Sequence, residues 1–168
     1  MSTLFVDTIN EKTSGNGIYI PGHVLQVLQY QKTDLFSTSS TSFVDVTNFE
    51  LSITPASSSS KILINCCLLA HHDATLQDEF RFQRKIGSGS FGDFGSVPSS
   101  RVMFTSGYYG SNTSASANLI FLDSPATTSQ LTYRLQARTR HSQTLVIGDD
   151  WNSDDAGINV LVLMEIGG

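Results

Sequence analysis

The sequence predicts an all-β protein: an antiparallel β-sandwich, jelly-roll-like, preceded by a short extended N-terminal oligomerisation segment. Three observations point there. Leu131, Tyr133, Leu135 and Ala137 alternate with Thr132, Arg134, Gln136 and Arg138, and Phe49, Leu51 and Ile53 alternate with Glu50, Ser52 and Thr54. A period of two is the pattern of a strand with one face buried. Short apolar runs recur with Gly, Pro and Ser turn signals between them, and no helical period is held over ten residues. Ser and Thr make up about a quarter of the chain, well above ordinary usage, and a hydroxyl-rich surface suits strands and turns better than helices.

Taken in order, the chain opens with two very short apolar runs, Leu4-Phe5-Val6 and Ile18-Tyr19-Ile20, separated by a polar break and closed by Pro21-Gly22. Strands of three or four residues bury too little to be stable alone, so Phe5, Val6, Ile9, Ile18, Tyr19 and Ile20 need a partner surface. His23 to Tyr30 reads as a strand, followed by candidates at Phe43 to Val46 and Phe49 to Thr54 and a turn at Pro55 to Ser60. Lys61 to Ala70 is the most apolar strand and is expected to be central in its sheet. Phe80 and Phe82 alternate with polar neighbours in the next strand. A Gly- and Ser-rich connection then runs from Gly87 to Ser100. Further strands are expected at Arg101 to Thr105, Asn118 to Leu122, Leu131 to Arg138 and Thr144 to Ile147. Ile158 to Ile166 closes the chain as an aliphatic core strand, giving about eight to ten strands. The division expected is residues 1–22 for assembly and 23–168 for the sandwich.

Composition excludes several classes. At 168 residues and net charge −5, with basic residues sparse, the chain carries no nucleic-acid footprint. No apolar run approaches a membrane span, and the start lacks a signal peptide's basic and apolar regions, so a soluble protein made in the cytoplasm without membrane insertion is expected. Cys66 and Cys67 are adjacent; neighbours on a strand point to opposite faces, and both are read as small buried apolar residues rather than as a disulfide or zinc site.

Ile86 to Gly92 matches the glycine loop of protein kinases, with Asp93-Phe94-Gly95 directly after it. In a kinase these lie on different lobes with a lysine strand and a catalytic loop between them, so the stretch is read as a flexible inter-strand loop. His71-His72-Asp73 is expected in a loop, with no third metal ligand nearby. Gly148 to Gly157 holds four carboxylates without the spacing of an EF-hand and reads as a solvated acidic turn. Trp151, with Tyr108 and Tyr109, is a candidate aromatic contact surface for a glycan or protein. No paired carboxylates at fixed separation and no nucleophile elbow are present, so no catalytic residue, cofactor or metal is expected.

The leader, Val6-Asp7-Thr8-Ile9, then Glu11-Lys12-Thr13-Ser14-Gly15, then Gly17-Ile18-Tyr19-Ile20-Pro21-Gly22, resembles one found in fibre and appendage proteins of tailed bacteriophages, particularly marine ones. The body is similar to small virion proteins with that leader at His23 to Val27, Phe49 to Pro55, Ser60 to Ile64, Leu122 to Pro125 with Thr132-Tyr133, and Leu161 to Ile166. The middle, Ala74 to Ala117, matches no pattern of that family. The resemblance implies a virion structural protein, a homotrimeric short fibre or head-fibre appendage with a knob for host attachment. Its expected partners are its own copies, other virion proteins and a host surface glycan or protein. Two alternatives stand beside it: a capsid decoration protein that cements the shell, and a carbohydrate-binding sandwich using Trp151.

Overall fold

The computed structural model describes residues 22–72, 76–95, 105–109, 113–149 and 157–168. Ten strands lie among them: β1 (Val24–Lys32), β2 (Phe36–Thr38), β3 (Val44–Ile53), β4 (Lys61–His72), β5 (Leu76–Ile86), β6 (Thr105–Tyr109), β7 (Thr113–Asp123), β8 (Leu131–Thr139), β9 (Leu145–Ile147) and β10 (Asn159–Ile166). Every pairing is antiparallel. One sheet runs β1-β10-β4-β7, with β9 continuing the β10 position along β4 and β2 pairing β9; the other runs β3-β8-β5-β6. The pairs nest in sequence, β1 with β10, β3 with β8, β4 with β7 and β5 with β6. Nested pairs divided between two facing sheets make the eight-stranded jelly roll of two Greek keys.

The core follows from the alternation. Along β4, Ile62, Ile64, Cys66, Leu68 and Ala70 are fully buried. They face Leu131, Tyr133, Leu135 and Ala137 of β8 and Phe80 and Phe82 of β5 in one continuous cluster. Leu161 and Leu163 of β10 join it, so the last strand is a core strand, as expected.

Several expectations change. Cys67 is exposed, because it takes the outward phase of β4 while Cys66 takes the inward one. Burial pushes the Cys66 thiol far above its usual range. His71 and His72 are not in a loop but end β4, opposite Ser114 and Thr113 of β7. The two candidates at Phe43 to Val46 and Phe49 to Thr54 are one strand, β3, interrupted by a wide bulge. There β3 advances from Asp45 to Glu50 while β8 advances only from Gln136 to Arg134. Asn48 takes the left-handed conformation at φ 55°, which Asn tolerates better than most residues, and Val46 and Phe49 on either side stay buried. Residues 101–104 of the expected Arg101 to Thr105 strand lie outside the described residues, and β6 begins at Thr105.

Candidate functional site

The outer face of the β3-β8-β5-β6 sheet carries most of the arginines. On β8 and β5 the outward phase places Arg134, Gln136, Arg138, Glu79, Arg81 and Gln83 side by side. Asp45, Arg134, Gln83, Asp93, Arg81 and Gln136 close a ring of hydrogen bonds. Arg134 donates to Asp45 and Gln83, each at 2.7 Å. Gln83 and Arg81 donate to Asp93 at 3.0 and 3.1 Å. Arg81 donates to Gln136 at 2.8 Å, and Gln136 donates back to Asp45 at 2.7 Å. Phe43 lies under the Arg81 and Arg138 guanidiniums at 4.3 and 4.5 Å, and Phe91 under Arg134 at 3.9 Å. Beside the ring, Glu79 is fully buried and accepts from Arg138 at 2.6 Å and Arg140 at 2.5 Å. Its charged groups are turned on each other, which makes this a rigid face rather than a set of free ligand hooks.

The kinase-like stretch supplies part of that ring and folds back on β5. Gly92 exchanges backbone hydrogen bonds with Arg84, each at 3.0 Å, so the chain folds back along β5. That places Phe91 and Asp93 outward, in the ring, and Phe94 inward between Phe121 and Tyr133 at 5.5 Å from each. Under Phe94, Asp123 accepts from Arg84 at 2.5 Å and from the Tyr133 hydroxyl at 2.6 Å. Burial, then the Asp123 carboxylate, raises the Tyr133 phenol further above its usual range.

The β3 bulge opens a cleft of about 430 Å³ lined by Tyr30, Asp34, Asp45, Asn48, Glu50 and Arg134, among others. Lys32 is buried beneath it, donating to the Thr47 carbonyl at 2.9 Å and pairing with Asp34 at 2.8 Å. The Lys32 hydrogen bond holds the Asp34 carboxyl below its ordinary value. Carboxylates, an amide and an aromatic edge suit a hydroxyl-rich or cationic ligand. Among the described residues, no group of three or more His, Cys, Asp and Glu side chains is placed to hold a metal ion.

The opposite outer face, on β1-β10-β4-β7, is of another kind. Val27, Met164, Leu63 and Leu122 form one row across the four strands, followed by Gln29, Val162, Asn65 and Ile120. Val24, Val27, Ile120 and Leu122 are all exposed.

Of the residues singled out in the sequence, Phe5, Val6, Ile9, Ile18, Tyr19 and Ile20 lie outside the described residues, and so does Trp151. Gly22 is described, and its N–H donates to the Gly167 carbonyl at 2.6 Å. Tyr108 and Tyr109 sit in β6 with their backbones opposite Gln77 and Leu76; their side chains lie outside what is described. The ends of the acidic loop are defined: Gly157 donates to the Gly148 carbonyl at 2.9 Å and Gly148 to the Leu69 carbonyl at 3.1 Å. Sequence reasoning missed the arginine ring and the cleft. Alternation marked the arginines as outward, but nothing local tied Asp45 or Asp93 to them.

No protein-family model matches the sequence, and neither does any curated protein. Among solved structures, the chain is similar to that of infectious bursal disease virus Gx strain, with TM-score 0.44 and 11% identity over 85% of this chain and 37% of that one. It is similar also to the crystal structure of the infectious bursal disease virus VP2 subviral particle, with TM-score 0.43 and 12% identity over 85% of this chain and 38% of that one. The chain thus spans well under half the length of both.

Proposed function

We propose that the protein is a non-enzymatic structural component of a virion: a homotrimeric short fibre or appendage whose jelly roll is a knob. The observation that carries this reading is the division of labour between the two outer faces. One has its charges closed into a ring stacked on aromatic side chains, and the other leaves Val24, Val27, Ile120 and Leu122 uncovered on its two outer strands, β1 and β7. A solitary domain gains nothing from such an apolar face, whereas a subunit does. The leader adds support, since its pattern resembles that of phage appendage proteins and its apolar side chains need a partner. Other virion proteins and a host surface glycan or protein are the further partners proposed.

The test is the solution mass of the full chain by light scattering, with location of the protein in a reconstructed particle. A trimer seen as a projecting knob is expected; density lying flat on the shell would instead favour the decoration reading. The cleft beside Asn48 supports a second reading, a carbohydrate contact. Binding on a glycan array that Glu50→Gln and Tyr30→Ala abolish is the outcome that reading requires.

A further inference from the structure

Val27 is 54% exposed, Leu122 46% and Ile120 69%, on strands whose other face fills the core. A solvent-facing antiparallel sheet ordinarily carries polar residues at those positions, as the opposite sheet of this chain does. Four strands about 4.8 Å apart, over the length of β1, make a face of roughly 15 by 25 Å, or about 400 Å² in all, polar in part at Gln29 and Asn65. Even the whole face is only about half of the ~800 Å² that each partner contributes to a standard stable interface. A second jelly roll laid face to face is therefore a poor match, and a short extended segment with a few apolar side chains is a good one. The chain contains one in residues 1–21, and it enters the fold at the rim of this face. Gly22 N–H donates to the Gly167 carbonyl and Gly167 N–H to His23, next to the Val24–Ile166 pair.

We infer that this face is the docking site for the Phe5–Ile20 segment of a neighbouring copy, an inference that rests on the assembly reading above. The assembly reading, not chain reach, selects the neighbour: Phe5, Val6 and Ile9 stand 13 or more residues before Gly22, far enough along the chain to reach either copy's face. Exchange around a rotation axis closes the assembly with equivalent contacts.

Cys67 makes this testable, because it is exposed on the same face, opposite Val160 and Asn118, while Cys66 is buried. Full-length Tyr19→Cys treated with a short bismaleimide is expected to give covalent dimers and trimers on a denaturing gel. Wild type and the Tyr19→Cys, Cys67→Ser double variant are expected to stay monomeric there. Val27→Glu in the full chain is expected to reduce the native mass to that of a monomer, with the circular dichroism of a folded sheet retained. An intramolecular 19–67 link overturns the exchange, and a wild-type ladder through Cys67 alone shows face-to-face copies instead. An oligomeric Tyr19→Cys that does not cross-link overturns the docking site but leaves the assembly reading intact; a monomeric wild type removes both. If Tyr19→Cys is itself monomeric, Val27→Glu decides: an intact oligomer overturns the inference and a monomer supports it.

Discussion

Asp78 is fully buried on the inward phase of β5, opposite Thr139, and burial pushes its carboxyl up to about 7. An unfolded aspartate titrates near 3.9, so between about pH 4 and pH 7 the folded state holds a proton that the unfolded state has lost. The sign follows: this contribution is fully present below about pH 4, falls as pH rises to about 7, and is constant above. Urea midpoints at pH 4.5, 6 and 8 should show that fall, and Asp78→Asn, neutral throughout, should flatten it. Asp123 makes a contrasting case, because it is ionically engaged by Arg84 and bonded by Tyr133 inside the sandwich. Asp123→Ala leaves a guanidinium and a phenol stranded at 19% and zero exposure, and should cost about 3–5 kcal/mol in denaturant unfolding. The phase of such residues was legible from alternation, although that signal was overridden at Cys67, which was expected buried and is exposed. Their partners were not, because Arg84, Asp123 and Tyr133 come from three strands that only the folded topology brings together.

At the scale of elements, β9 and β10 are one strand position interrupted by the acidic loop, and the interruption is managed locally. Leu69 faces the gap; its carbonyl accepts from Gly148, and its N–H donates to the Asn159 side chain at 2.9 Å, in place of a ladder partner. Gly157 seals the neck, where a Cβ would lie 2.7 Å from Leu69 Cδ2 and 2.8 Å from its Cβ. Gly157→Ala should therefore destabilise by about 1–3 kcal/mol, lowering the melting temperature by several degrees in a thermal scan. Phe94→Ala, which empties the space between Phe121 and Tyr133, should cost about 3 kcal/mol or more by the same measurement. The strands were readable because their periods are local. The β3 bulge was not, since Thr47-Asn48 reads as a gap between two strands unless the register on β8 is known. The glycine-rich stretch after β5 was legible as a turn from its composition, but the Gly92 bridge back to Arg84 was not, because it depends on how the chain folds back along β5.

For the whole molecule, nested pairing makes nearly every strand partner distant in sequence, β1 with β10 most of all. Such a topology is expected to fold in milliseconds to seconds, with β1 and β10 meeting across the full length of the chain. Removing residues 1–21 should leave this body folded but monomeric, with an unchanged far-ultraviolet spectrum and a light-scattering mass near one chain. An unchanged oligomeric mass would dissociate assembly from the leader. The jelly roll was legible from strand number and turn spacing, whereas the unequal outer faces emerge only once β1, β10, β4 and β7 are in register. That register has a mechanical meaning at the point where the leader enters. β1 begins at Val24, two residues after Gly22, and is paired with β10 at eight positions. Tension drawn along β1 from its first residue is borne in shear by that whole ladder at once, whereas a sideways pull would unzip it one bond at a time. A tether attached there behaves as a strong lap joint in line with the strand and as a weak peel joint across it.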